Sequence, residues 1–155
     1  MMYLKLLDNA KKKKIVEMLE KEYGIKKLPY LLVESGSGKY WIYSGALSKE
    51  EIKKIGDEII IETIGTKLCT IDKDDIRLSF DALNIPEIKR QITKGVYEMP
   101  EEKIKEWLKG ENIETEINAD EEYLIIKNQD DFLGAAKNRK TFLHNYIPKE
   151  RRVKN

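Results

Sequence analysis

Helical and strand-like patterns follow each other irregularly along the 155-residue chain, and this order limits its fold more than any other feature. Residues 8–23 carry apolar side chains at helical spacing, with Asp8 or Asn9 as the cap and Gly24 as the end. Strand-like stretches dominate much of the chain after Gly24, without a regular strand–helix–strand repeat. The pattern therefore predicts an α+β fold rather than a parallel α/β fold.

The remaining patterns predict further elements and a division of the chain. A Ser-Gly-Ser-Gly sequence between residues 31–34 and 40–43 predicts a hairpin, since glycine readily takes positive φ. Helices are predicted over 48–55, 84–92 and 100–109. Residues 59–64 and 68–71 predict two strands or one bent strand, and further strands are predicted over 77–80, 113–117, 123–127, 132–135 and 141–146. A break near Lys94-Gly95 predicts an α+β domain over 1–94 and a small β-rich domain over 95–155.

Positive charge is concentrated at the C-terminal end, although 29 Lys and Arg nearly balance 28 Asp and Glu. Residues 137–155 hold seven basic side chains and one acidic one, so the preceding residues are net negative. Phe142, His144 and Tyr146 are interleaved with these cations. This combination predicts contact with a polyanion, whereas a solvated tail is the alternative for charge runs in general. A second cluster, Lys11–Lys14, either extends the same path or is a solvated helix end.

Motifs for catalysis and metal binding are missing from the sequence. There is no Walker loop, no dinucleotide-binding glycine motif and no zinc-protease motif. One Cys and one His cannot supply a disulfide or a Cys/His zinc site, and Cys69 lies in an apolar run that predicts a buried thiol. We therefore predict a protein that is not an enzyme and uses no cofactor and no metal.

Location and habitat are indicated by the same composition. No apolar run reaches the 18 residues of a membrane-spanning helix, and the apolar start is too short for a signal peptide. We therefore expect a cytoplasmic protein without a membrane partner. Charged residues make up 37% of the chain, which is typical of thermophile surfaces.

Four segments of the C-terminal half resemble the PUA-like RNA-binding domain of Sun-family (RsmF-like) rRNA cytosine methyltransferases. They are residues 96–111 (VYEMPEEKIKEWLKGE), 123–126 (YLII), 131–137 (DFLGAAK) and 145–152 (NYIPKERR). Upstream, residues 61–71 and 76–83 resemble the α+β pre-PUA domain of Nip-type ribosome-biogenesis factors. The methyltransferases' Rossmann-like domain and Pro-Cys motifs have no counterpart here. The resemblance implies a pre-PUA-like domain followed by a PUA-like β-barrel-type domain, without the methyltransferase activity.

The charge pattern and the resemblance together predict an RNA-binding surface in the C-terminal half. The residues we predict to contact RNA are Lys137, Arg139, Lys140, Asn145, Tyr146, Lys149, Arg151 and Arg152. The cations would neutralise phosphates. Asn145 either hydrogen-bonds a base edge or caps a turn, and Tyr146 either stacks on an unpaired base or packs in the core. Gly134 allows close approach of RNA or of a neighbouring strand.

Three functions are compatible with these observations. The first is a non-catalytic protein that binds structured rRNA or tRNA in ribosome biogenesis or RNA modification, including presentation of RNA to a methyltransferase acting in trans. The second is a protein–protein adaptor that docks on an RNA-modification enzyme or a pre-ribosomal protein. The third is an enzyme whose site is assembled from scattered carboxylates, which would show carboxyl groups of perturbed pKa in a pocket.

Overall fold

A computed structural model of the chain describes residues 4–43, 50–51 and 65–154. The strand predicted over 59–64 lies outside the described residues, as does all but residues 50–51 of the helix predicted over 48–55. Two five-stranded sheets and short helices make up the described part, so the α+β prediction is confirmed. Among the described residues, no helix has the length and apolarity needed to span a membrane.

The first sheet is an antiparallel meander in which the strands pair in chain order. Its strands are β1 (Leu4–Leu6), β2 (Leu31–Ser35), β3 (Lys39–Tyr43), β4 (Thr66–Asp72) and β5 (Asp75–Leu78). The predicted Ser-Gly-Ser-Gly hairpin is confirmed as the β2–β3 connection. The strand predicted over 77–80 lies two residues earlier, because Lys73 takes a φ of 57° in a tight turn that starts β5 at Asp75.

Helix α1 (Asn9–Tyr23) packs on this sheet and matches its prediction. The Asp8 side chain accepts a hydrogen bond from the Lys11 amide at 2.8 Å, which satisfies an otherwise unpaired N–H at the helix start. Gly24 ends the helix with a φ of 83°, a left-handed conformation that glycine adopts without strain. The Tyr23 hydroxyl donates to the Ile76 carbonyl at 2.6 Å and so ties the helix to β5.

The second sheet has the order β6-β8-β9-β10-β7. Its strands are β6 (Val96–Glu98), β7 (Ile113–Glu114), β8 (Tyr123–Asn128), β9 (Asp131–Asn138) and β10 (Phe142–Asn145). Strand β6 has no counterpart among the predicted strands and pairs with β8 in parallel, whereas the other pairs are antiparallel. The strand predicted over 113–117 is shorter than expected, because β7 sits at the sheet edge and pairs with β10 at two positions.

The two predicted helices of the central region are short. Helix α2 (Pro86–Lys89) follows a 3-10 turn over Ala82–Asn84, and helix α3 (Ile104–Leu108) follows a 3-10 turn over Glu101–Lys103. Helix α2 ends early because the chain turns back toward α1, where the Thr93 amide donates to the Tyr23 carbonyl at 3.0 Å. The helix over 100–109 is divided because its first turn after Pro100 adopts the tighter 3-10 geometry.

Two clusters of buried side chains stabilise the described structure. The first lies between α1 and the first sheet and includes Leu19 and Leu68. The second lies against the second sheet around Trp107 and Leu143. Ile125 of β8 is fully buried and belongs to the first cluster, so the second sheet also packs against the N-terminal half. The division at residues 94 and 95 stays a prediction.

Burial of Cys69 has a consequence for stability at alkaline pH. The prediction of a buried thiol is confirmed, and burial raises the pKa of Cys69 from 9.0 to about 12. Between these values the unfolded chain ionises the thiol while the folded chain keeps it protonated. Each pH unit above 9 therefore lowers the wild-type free energy of unfolding by up to about 1.4 kcal/mol through this group. Cys69→Ala lacks the effect.

We therefore expect the stability advantage of wild type over Cys69→Ala to shrink as the pH rises from 8 to 11. Urea unfolding of both proteins at each pH measures this difference, in which the titration of all other groups cancels. A constant difference over this range would contradict the assignment.

Candidate nucleic-acid interface

One row of side chains crosses three neighbouring strands on the same face of the second sheet. Tyr123 on β8 is directly opposite Lys137 on β9, and Lys137 is directly opposite His144 on β10. Directly paired residues of neighbouring strands point to the same side, so these three side chains form what we call the cross-strand row. All three are half-buried, which leaves part of each side chain open to a ligand.

Tyr146, one residue after β10, joins the cross-strand row to the first sheet. The guanidinium carbon of Arg77, on β5, lies 4.0 Å from the centroid of the Tyr146 ring and 5.8 Å from that of Tyr123. The His144 ring stacks on Tyr146 with centroids 5.1 Å apart, and Tyr123 meets Tyr146 edge-on at 5.9 Å. Cation–π and aromatic contacts of this kind contribute about 0.5–2 kcal/mol each. Arg77, Tyr123, Lys137, His144 and Tyr146 therefore form one cluster, to which both sheets contribute.

The electrostatic balance of this cluster is positive. Lys137 Nζ lies 3.3 Å from Glu122 Oε1, which partly neutralises that cation. Arg77 makes no ion pair within the part of the chain that the structure describes. Burial raises the pKa of the Tyr123 hydroxyl, so this group remains a neutral hydrogen-bond donor. The arrangement offers cations and ring faces together, the two features that RNA phosphates and unpaired bases require.

The structure places Arg139 and Lys140 in the turn between β9 and β10, outside the cross-strand row. Lys140 takes a φ of 68°, and its Nζ atom contacts the Asp120 carboxylate at 3.0 Å and the Ala119 carbonyl at 2.6 Å. Arg139 is exposed, and its backbone amide donates to the Phe142 carbonyl at 3.1 Å. Lys140 is therefore engaged with Ala119 and Asp120, and RNA contact by Arg139 and Lys140 stays a prediction.

The basic C-terminal segment contacts the protein through both of its arginines. The Arg151 guanidinium lies 3.0 Å from the Asp81 carboxylate, and Arg152 Nε donates to the Ile147 carbonyl at 3.0 Å. Lys149 is exposed. The segment is thus docked on the fold rather than a freely solvated tail, and RNA contact by these three cations stays a prediction.

Asn145 is buried, and its hydrogen bonds decide between the two roles predicted for it. Its side-chain amide donates to the carbonyls of Trp107 at 2.8 Å and Glu111 at 2.9 Å. Its side-chain oxygen accepts from the Ile147 amide at 2.8 Å. Both donors and the acceptor are therefore used inside the protein, as the turn alternative requires. We correct the prediction of RNA contact at this position and remove Asn145 from the candidate interface.

The early basic cluster is only partly solvated. Lys12 Nζ donates to the Tyr30 carbonyl at 2.7 Å, and burial lowers the pKa of Lys12. Lys11, Lys13 and Lys14 are exposed on α1. The cluster therefore consists of one anchored lysine and three solvated ones.

Three members of the interface are absent from the residues that the sequence predicted to bind. His144 and Tyr146 are two residues apart, so on a strand they share a face, and this spacing was the available signal. Tyr123 and Arg77 carry no local signal, because they reach the cluster through pairing between β8 and β9 and through packing between the two sheets. Of the predicted residues, Lys137 and Tyr146 belong to the cluster.

Comparison with known proteins gives a family match for the segment that contains the second sheet. Residues 94–153 match the family model described as the methyltransferase RsmF PUA domain. A comparison with curated proteins gives no match. The matched segment contains strands β6 to β10, so the second sheet is a PUA-like domain similar to that of Sun-family methyltransferases. The match covers less than half of the chain and contains no catalytic domain, and a PUA domain indicates RNA as the ligand.

Proposed function

We propose that this protein binds structured rRNA or tRNA through the cross-strand row, Tyr146 and Arg77. Its role is non-catalytic: it holds RNA during ribosome biogenesis or RNA modification in the cytoplasm. Its protein partner would be an RNA methyltransferase acting in trans or a ribosome-assembly factor. The observation that carries the proposal is the contact of Arg77 with the Tyr146 ring beside His144, on a PUA-like sheet.

The contacts within the cluster suggest different roles for Tyr146, His144 and Lys137 in RNA binding. Tyr146 touches three partners, so its ring is committed to the protein. His144 has Tyr146 as its one ring partner among the described residues, which favours His144 as the platform for an unpaired base. Lys137, in the middle of the cross-strand row, supplies the phosphate contact in this proposal. A stacked base contributes about 1–3 kcal/mol, and each phosphate contact makes binding more sensitive to salt.

Fluorescence anisotropy of labelled rRNA and tRNA fragments across a salt series tests the proposal. We expect His144→Ala to weaken binding by roughly tenfold or more with an unchanged salt slope, because it removes stacking but no charge. Lys137→Ala should reduce the slope of log K on log salt by about 0.7–0.9. Lys105→Ala, an exposed lysine on α3, is the matched control and should bind as wild type.

Two results would contradict the proposal. One is the absence of salt-dependent RNA binding by the wild-type protein. The adaptor alternative predicts this result, and the next experiment would then be a search for a protein partner. The other is RNA binding that neither His144→Ala nor Lys137→Ala changes, which would place the interface elsewhere.

A further inference from the structure

A cleft of about 310 Å³ lies between the two sheets, beside the Arg77–Tyr146 contact. The first sheet and the turn after it contribute Trp41, Lys67, Arg77 and Phe80, and Tyr146 comes from the end of the second sheet. Its volume is at the lower end of the range of about 300–1,000 Å³ found for small-ligand pockets. The cleft therefore has room for one small group rather than for a long segment of chain.

A β-bulge places the lysine of this cleft. Tyr40 is opposite Cys69, whereas Trp41 is opposite Lys67, so Leu68 is an extra residue in β4. Side chains alternate along a strand, so regular pairing without a bulge would set Lys67 opposite Ile42, on the face away from Trp41 and Arg77. The bulge turns Lys67 to the face shared with Trp41. Bulges that aim a side chain in this way are common next to functional sites.

The cleft holds two neighbouring cations, Lys67 and Arg77. The pKa of Lys67 is lowered, first by burial and then by the positive charges of Arg77 and Lys39. Within the described ranges, neither Lys67 nor Arg77 forms an ion pair. Two carboxylates also line the cleft: Asp81 is paired with Arg151, and Glu150 is exposed. An anion between Lys67 and Arg77 would remove the repulsion between these two cations.

The Trp41 indole N–H is a hydrogen-bond donor without an acceptor in the described part of the chain. Its Nε1 atom is buried and finds no hydrogen-bond partner among the residues that the structure describes. A buried N–H without an acceptor costs about 1–3 kcal/mol, and such groups are rare in folded proteins. The Trp41 side chain lines the cleft, so a ligand bound there changes the surroundings of this N–H.

We propose that this cleft binds one phosphate-bearing nucleotide of the RNA chain, which rests on the RNA binding proposed above. The phosphate lies between Lys67 and Arg77, and the base packs against the Phe80 ring. The Trp41 side chain lies beside the nucleotide. Arg77 serves both sites, because a guanidinium stacks through its face and donates hydrogen bonds from its edge.

NMR of the full chain tests the cleft with AMP and UMP as probes. The chain has two indole N–H signals, and Trp107 Nε1 already donates to the Leu133 carbonyl at 2.7 Å. We expect the nucleotides to shift the Trp41 indole signal and to leave that of Trp107 in place. Inorganic phosphate and the nucleosides adenosine and uridine form the comparison arms. Each should bind at least about tenfold more weakly than the nucleotide, because it lacks half of the contacts.

Variants locate the site and separate it from the proposed function. Lys67→Met keeps the aliphatic stem but removes the charge, and it should weaken nucleotide binding by roughly tenfold. Lys5→Met removes the same charge from β1, at the far edge of the sheet, and should change nothing. The nucleotide site in the cleft would be contradicted, even if the protein binds RNA, by either of two results. One is a Trp41 indole signal that the nucleotides do not shift, and the other is phosphate binding as tight as nucleotide binding. A shifted Trp41 signal without RNA binding would support the cleft and overturn the proposed function.

Discussion

Replacement of Trp107 by alanine is expected to lower the free energy of unfolding by about 3–5 kcal/mol. Trp107 is fully buried in the second core cluster and is among the largest buried side chains of the described structure. Its removal leaves a cavity in the PUA-like domain. It also leaves the Leu133 carbonyl without the indole N–H that donates to it at 2.7 Å. Both losses act in the same direction.

Urea unfolding followed by circular dichroism measures this change. The midpoint should fall while the dependence on urea concentration stays the same, since the surface exposed on unfolding hardly changes. Trp107→Phe is the matched variant: it keeps most of the volume and loses the N–H, so it should cost clearly less than the alanine variant. A loss below about 1 kcal/mol for Trp107→Ala would contradict the packing of this side chain in the core.

Asn145→Ala should cost about 3–4 kcal/mol, because it removes the hydrogen-bond partner of two buried backbone groups and of one partly exposed backbone group. These groups are the carbonyls of Trp107 and Glu111 and the amide of Ile147. The same urea experiment measures the loss, and the exposed Asn118→Ala is the matched control with an expected change within about 0.5 kcal/mol. RNA affinity measured below the melting temperature should remain that of wild type.

The combination of results at Asn145 distinguishes the two roles that its sequence context allows. Lost stability with retained RNA affinity identifies a turn residue. Retained stability with lost affinity would identify a base contact, and it would require the three hydrogen bonds of the Asn145 side chain to be absent in solution.

Local signals predicted the parts of the fold that depend on local physics. The spacing of apolar residues over 8–23 and the glycine at position 24 determine α1 and its end, and Ser-Gly-Ser-Gly determines the first hairpin. Strand β6 escaped prediction because three residues are too few to show alternation, and its partner β8 lies far along the chain. Pairing between strands that are far apart in the chain cannot be predicted from a short window of sequence.

Sequence signals pointed to only some members of the candidate interface, for the same reason. The resemblance and the charge pattern pointed to the PUA-like half and to Lys137 and Tyr146 within it. Arg77 joins them through contact between the two sheets, which no local pattern encodes. Gly134 is a single residue whose role the sequence left open. It has a φ of 102°, and an added Cβ would crowd Ile147 and Phe80. Packing of neighbouring side chains, which the sequence could not separate from RNA contact, accounts for this glycine.

Strand β8 has a further consequence for the behaviour of the chain as a whole. Leu124 and Ile126 are buried in the core of the PUA-like half, whereas Ile125 between them is buried in the core of the N-terminal half. Unfolding of either core therefore exposes one face of β8, and the other core also packs on this strand. The two halves should melt in one cooperative transition, and residues 95–155 cut from the rest would present Ile125, Val96 and Phe132 to water. The N-terminal half and the PUA-like half thus form one cooperative folding unit.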